Sequence, residues 1–344
     1  MEFLQRLWFT AWDKFVNVLQ LGKVARIIFA SLCLYLLVST GLAGYWSYAS
    51  TNLAQYDATK TQGEQKVTGV ATVSALIHVT QTLLNKPGGY LSNDKTLPGI
   101  WMDNIPRWEF GVLVQARDMA RAMRKDFSRS QSQSTEDIDL SAAEPRLHFN
   151  NNSWLFPSSE AEYKKSLQFL HEYSDRLSDP SIQDAQFYAR ADNLNNWLAE
   201  VSTRLGSLSQ KLSASVGQRR INTDLAGDAQ ASQSTASSAV VEVKTSWNKI
   251  DDVFYEARGS AWALIQLLRA IDQDFSSVLE KKNARISLLQ IIRELESTQA
   301  FVWSPLILNG SEFGFAANHS LVMSSYITRA NAAIIDLRRL LSQG

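Results

Sequence analysis

The chain has 344 residues, with 34 Lys+Arg against 34 Asp+Glu, and this balance leaves no basic field of the kind nucleic-acid partners require. A hydrophobic share of 45% excludes wholesale disorder. Only 16 glycines and 7 prolines, in a sequence dominated by Ala, Leu, Ser, Gln, Arg and Glu, argue against a turn-rich β protein and for helix.

The first segment, 1–23, carries Leu4, Trp8, Ala11, Phe15 and Val18 at alternating steps of four and three. Gln5, Arg6, Asp13, Lys14 and Asn17 take the opposite side, which predicts an amphipathic helix on a membrane surface. Residues 24–48 follow as a transmembrane anchor. From Ile27 to Tyr48 there is no charged side chain, and ~33 Å of helix exceeds the ~30 Å hydrocarbon core. The run is long, lacks a good cleavage site and starts too far from the N-terminus for a cleaved signal peptide. Lys23 and Arg26 sit at its leading edge, and no basic residue follows until Lys60. That asymmetry predicts a cytoplasmic N-terminus and a periplasmic remainder. The single cysteine, Cys33, lies inside the span, and a cysteine-free remainder suits an oxidising compartment.

Beyond the span the apolar period is helical nearly everywhere. Helices are predicted near 62–85, 107–129 and 158–178, and two stronger signals follow. One runs Phe187, Ala191, Leu194, Leu198, Val201, Leu205, Leu208, Leu212, and the other Ile250, Phe254, Ala257, Ala261, Leu264, Leu268, Ile271, Phe275. Their 3.5-residue spacing is that of a bundle seam and predicts an antiparallel pair, each helix ~50 Å long. Further helices are expected at 284–298 and 317–342. The fold class is therefore all-α: a single N-terminal transmembrane helix followed by an elongated up-and-down helical bundle. The domain reading is 49–216 as the first part of a periplasmic bundle, 217–243 as a flexible linker and 244–344 as its second part, the linker resting on the Ser/Ala/Gln/Gly-rich stretch 222–239.

Several segments are distinctive: Pro87-Gly88-Gly89-Tyr90-Leu91-Ser92-Asn93-Asp94, Pro98-Gly99-Ile100-Trp101-Met102-Asp103-Asn104, Trp108-Glu109-Phe110-Gly111, Asp126 to Ser134 and Asp184 to Leu194. With these the chain resembles, over nearly its whole length, an uncharacterised family of gammaproteobacterial inner-membrane proteins described only as a domain of unknown function (DUF2333-like). The resemblance implies a bacterial envelope location and brings no activity, cofactor or site residue with it.

The residues themselves offer little chemistry. His78, His148, His171 and His319 are scattered, with no spacing suited to zinc, and no nucleophile or phosphate-binding motif occurs. Asp251-Asp252 and the Asp272/Asp274 pair read as solvated helix faces. No metal, cofactor or catalytic residue is therefore expected.

Two surfaces are candidates for contact. Counting the first outer helix as leaving the membrane puts the loop 86–107 at the distal end. There Tyr90, Trp101, Asp103, Asn104 and Trp108 are candidates for binding a protein partner, with a hydrophobic end-cap as the alternative. The same count puts the basic stripe Arg121, Arg124, Lys125 and Arg129 near the membrane, with Trp154, Phe156, Arg219, Arg220 and Trp303, as candidates for lipid contact.

The functional expectation is a non-enzymatic inner-membrane scaffold, adaptor or assembly factor. Its partners would be inner-membrane lipid and other envelope proteins, and no nucleic acid. The alternatives are a periplasmic ligand-sensing or ligand-binding bundle that signals through a partner, and an envelope hydrolase or lipid-handling enzyme.

Overall fold

The computed structural model describes residues 22–49, 53, 55–57, 67–130, 135–182, 184–221, 240–304, 306–311 and 315–343. The amphipathic helix expected over 1–23 and the low-complexity stretch 222–239 lie almost wholly outside them.

Helix α1, Lys23–Ala49, is long and apolar enough to cross a membrane, and only 6% of its most apolar stretch is buried. A helix that is apolar all round yet uncovered by its own protein is unlike a core helix. After it the chain does not turn straight into a helix. Tyr56 N–H donates to Gln266 Oε1 at 2.8 Å, and its hydroxyl to the Ala71 carbonyl at 3.0 Å. Helix α2, Val70–Asn85, begins at the far end of the bundle. Gly69 makes that turn with φ +98, and a Cβ there would fall 2.3–2.6 Å from Phe187. Asp274 caps the new helix from across the core, accepting from Thr72 N at 2.7 Å and Thr72 Oγ1 at 2.6 Å.

Seven more long or medium helices follow: α3 Asn104–Ala122, extended by a π turn at Met123–Phe127; α4 Ile138–Leu147; α5 Ser159–Ser178; α6 Ala191–Ser213; α7 Ile250–Asp274; α9 Arg285–Ser297; and α10 His319–Ser342. The short α8, Ser276–Lys281, stands between α7 and α9. The helical boundaries follow the 3.6-residue period closely, and helices from both halves of the sequence share one core. Helix α7 lies at its centre and contacts α2, α3, α6, α9 and α10.

The two strongest seams do touch, but neither is the other's main partner. Helix α7 packs most closely on α3, and α6 on α10. Two glycines explain the first choice. A Cβ at Gly111 would lie 2.1 Å from the Glu256 carbonyl oxygen, and one at Gly259 2.1 Å from that of Trp108. Without side chains, the backbones of α3 and α7 approach closely, and Ser260 Oγ donates to the Gly111 carbonyl at 3.1 Å. Helices α6 and α7 hold 23 and 25 residues, about 35 and 38 Å rather than the ~50 Å expected.

The edges of the expected linker are ordered. Gln218–Ile221 (β1) pairs antiparallel with Val240–Val243 (β2), Gln218 opposite Val243. Between α3 and α5, where no helix is predicted from the sequence, α4 forms. Asp137 is its N-cap, accepting from Asp139 N and Leu140 N.

The connections sort to two ends. At the far end Arg176 pairs with Asp137, Asp139 and Asp184. The rings of Phe127, Phe187 and Phe275 meet there with centroids 5.3–5.9 Å apart. At the near end lie 86–103, the tip of 148–158, 214–221, 240–249 and the described residues of 298–318, and this is where α1 docks. The expected directions of the first two helices are therefore reversed: α2 begins at the far end, where Asp274 caps it, and returns toward α1 instead of leaving it.

Candidate functional site: the anchor-facing end

One narrow face of the second half of α1 rests on the loop 86–103. Ala43 and Trp46 pack on a small cluster of Leu91, Met102 and Ile105. Gly88, at φ +90, lies so close that a Cβ would meet the Trp46 ring at 2.8 Å. Eleven residues back along α1, about 16 Å at the helical rise, the Tyr35 hydroxyl donates to the Leu97 carbonyl at 3.4 Å. Ser39, between them, is buried. The loop thus runs along α1 rather than merely touching its end.

One carboxylate holds that loop in shape. Glu109, on the first turns of α3, is fully buried and accepts from Leu91 N at 2.8 Å, Ser92 N at 2.8 Å and Ser92 Oγ at 2.5 Å. Its counter-ion is the equally buried Lys86, whose ammonium also donates to the Gly89 carbonyl. Buried charges are tolerated when paired and fully hydrogen-bonded, and this pair is both. Asn93 then ties the loop to its neighbour, its amide donating to the Ser153 carbonyl and to Glu160 Oε2, both at 2.7 Å.

The five residues expected to bind a partner divide. Tyr90 and Trp108 are buried and belong to the core. Tyr90 meets Tyr163 edge-on with centroids 5.6 Å apart, and its hydroxyl donates to the Asn151 carbonyl at 3.0 Å. Burial pushes that hydroxyl's pKa far above the ordinary phenol value. Trp108 leans on Trp262 at 5.3 Å. Trp101 and Asp103 stand on the surface, Asp103 accepting from Asn104 N at 2.9 Å as the cap of α3. Asn104 is half-buried. The loop they belong to is at the near end, not the distal one.

The basic stripe lies in the far half, away from α1, and serves ion pairs within the fold. Arg121 reaches Asp118 and Glu144, Arg124 reaches Glu136 and Glu144, and Arg129 reaches Glu136. Lys125 is exposed. The lipid-contact reading of these four fails because α3 runs away from α1, not toward it. Trp154, Phe156 and Trp303 are at the near end and project outward. Arg219 is exposed on β1, and Arg220 falls in the same strand.

Sequence reasoning missed Trp247, which is 86% exposed at the near end. It stands in a 3-10 turn just before α7, three residues ahead of Ile250 and so in register with that helix's apolar stripe, and its spacing therefore hid its exposure. Beyond α1, the exposed tryptophans among the described residues are Trp101, Trp154, Trp247 and Trp303, and all belong to near-end connections. Ile100, Leu155, Phe156 and Phe301 are exposed beside them. No cluster of three or more His, Cys, Asp or Glu suited to a metal occurs among the described residues.

These features define a class: a helical bundle with one apolar N-terminal helix and a ring of exposed aromatic residues around the place where that helix docks. The chain belongs to a family of uncharacterized proteins conserved in bacteria (DUF2333), whose model matches residues 20–344. No curated protein and no solved structure matches the chain.

Proposed function

We propose that the protein is a non-enzymatic scaffold of the bacterial envelope, anchored in the inner membrane by α1, with its bundle in the periplasm and its near end seated on the membrane surface. The observation that carries this reading is the set of exposed Trp and Phe side chains at the end of the bundle where α1 docks. Amphipathic aromatic rings favour the membrane–water interface. Seating that end leaves the helical flanks and the far end free for protein partners. The Lys23/Arg26 flank supports a cytoplasmic N-terminus. A structural rather than catalytic use of acid groups is supported by the buried carboxylates: Glu109 holds a loop, Asp274 caps α2, and Asp118 pairs with Arg204 at 2.8 Å.

Alkaline phosphatase fused after residue 344 should be active, and a reporter that works only in the cytoplasm should be silent there. The opposite pattern overturns the placement. A photo-crosslinking side chain at position 101, 154, 247 or 303 should label phospholipid, and one on the far end should label protein. Labelling of protein alone from all four near-end positions would refute the seated orientation.

A further inference from the structure

Arg258, on α7 near the docking place of α1, is 6% exposed and pairs with no carboxylate among the described residues. Its Nη2 donates to the Gln299 carbonyl at 2.9 Å, and Gln299 Nε2 donates back to the Arg258 carbonyl at 3.1 Å. A guanidinium offers five N–H donors, and this bond uses one; the side chain also lines the two cavities described below. An uncompensated buried charge is costly, and burial alone pulls the Arg258 pKa down. Its surroundings show where the missing partner would sit. On one side Arg258 lines a cavity of about 100 Å³ that also includes Ser47 of α1, Asn104 and Trp262. Trp262 Nε1, a donor, is buried there without a hydrogen-bond partner.

On its other side Arg258 lines a groove of about 430 Å³, walled by Phe254, Val302, Trp303, Val322, Met323 and Tyr326. That volume lies in the range of small-molecule sites, and the walls are mostly apolar. A lone buried cation at the head of an apolar groove matches one chemistry: a molecule with an anionic group at one end and a hydrocarbon chain behind it. A purely apolar ligand would leave Arg258 unsatisfied, and a small hydrophilic anion would leave the groove unfilled.

We infer that the Arg258 cleft binds an anionic amphiphile, its carboxylate or phosphate on the guanidinium and its acyl chain in the groove between α7, α10 and the 298–304 segment. Charge-assisted hydrogen bonds hold the head group, and Trp303 and Phe254 flank the chain. The inference stands apart from the scaffold reading, because it needs only the cleft. The same chemistry reaches the site from two sources, a free fatty acid or a phospholipid of the adjoining membrane.

The test uses full-length protein in nanodiscs and a sixteen-carbon fatty acid carrying a diazirine near its chain end, with the matching alcohol as the uncharged probe. Saturable labelling by the acid of peptides around Val302–Trp303 or Val322–Tyr326 is expected, with far less by the alcohol. Arg258→Gln should lower labelling about tenfold or more, as loss of hydrogen bonds to a charged group predicts. Arg258→Lys, which keeps the charge, should retain a substantial part and guards against a folding defect. Val322→Glu, at an exposed wall position, should abolish it while leaving the helical spectrum intact. A diazirine-bearing phosphatidylglycerol in the nanodisc identifies the source: equal, Arg258-dependent labelling assigns the site to membrane lipid, and labelling by the free acid alone to a soluble amphiphile. Equal labelling by acid and alcohol, labelling confined to Lys23–Ala49, or labelling indifferent to Arg258→Gln would overturn the inference. In those cases Arg258 serves only the Gln299 carbonyl just beyond α9.

Discussion

Replacing Glu109 by Gln keeps the volume of the side chain and removes its charge, and the surroundings allow the consequence to be worked out. Each carboxylate oxygen is already committed: Oε1 to Lys86 and Leu91 N, Oε2 to Ser92 N and Ser92 Oγ. An amide can supply only one of these acceptors, and its NH₂ must then face donors. Lys86 is left buried without a counter-ion. Breaking a buried pair in this way costs about 3–5 kcal/mol, or roughly 5–10 °C in melting temperature for a domain of this size. Lys86→Met should cost less, because Glu109 keeps three donors. The double variant should be milder than the sum of the singles, since the residues are coupled. Thermal melts followed by circular dichroism in detergent measure all three. The loop 86–103 should also become cleavable by protease in the Glu109→Gln protein, releasing its hold on α1. A melting shift below about 2 °C, or strict additivity of the two substitutions, would refute the idea that this pair holds the loop.

Three further outcomes follow from the packing. Trp108→Ala should cost about 3–5 kcal/mol as a large core truncation, whereas Trp101→Ala should leave the melting temperature nearly unchanged and weaken only association with vesicles, measured by flotation. Gly111→Ala or Gly259→Ala pushes a methyl group into a carbonyl oxygen 2.1 Å away; overpacking of this kind costs about 1–3 kcal/mol or more, and denaturant titration should show it, while Gly206→Ala, whose nearest neighbour is 3.6 Å off, should not. Asp274→Ala removes two hydrogen bonds from the start of α2; a loss of about 1–3 kcal/mol is expected, together with faster hydrogen exchange in the first turn of α2.

The fold was legible where burial imposes a period. Boundaries such as Ser159–Ser178 and His319–Ser342 fall within a few residues of those read from apolar spacing, because one face of each helix must reach a common core. Direction was not legible. The polar stretch after α1 has no apolar period, so nothing in it says at which end of the bundle α2 begins. That end shows only in the fold, where Asp274 at the close of α7 bonds Thr72. Partner choice was hidden for a related reason. A heptad seam states that a helix packs, whereas the preference of α7 for α3 depends on Gly111 and Gly259, which have no side chain to leave a hydropathy signal.

The aromatic loop shows how far spacing alone can go in separating core from surface. Composition treats Tyr90, Trp101 and Trp108 alike, as rings in a long connection. Phase separates two of them. Trp108 stands three residues after Ile105 and four before Val112, on the buried stripe that continues through Ala116 and Met119. That register assigns it to the core once the helix is known to begin at its Asp103 cap. Trp101 precedes the cap and belongs to no stripe, so its exposure follows from the same reasoning. Tyr90 has no such clue: it is buried because Glu109, nineteen positions later, gathers the backbone of Leu91 and Ser92 and draws the loop inward. A carboxylate on the buried face of a helix reads in sequence as a break in amphipathicity. Here that break has a function: Glu109 spends its hydrogen bonds shaping the loop that lies along α1.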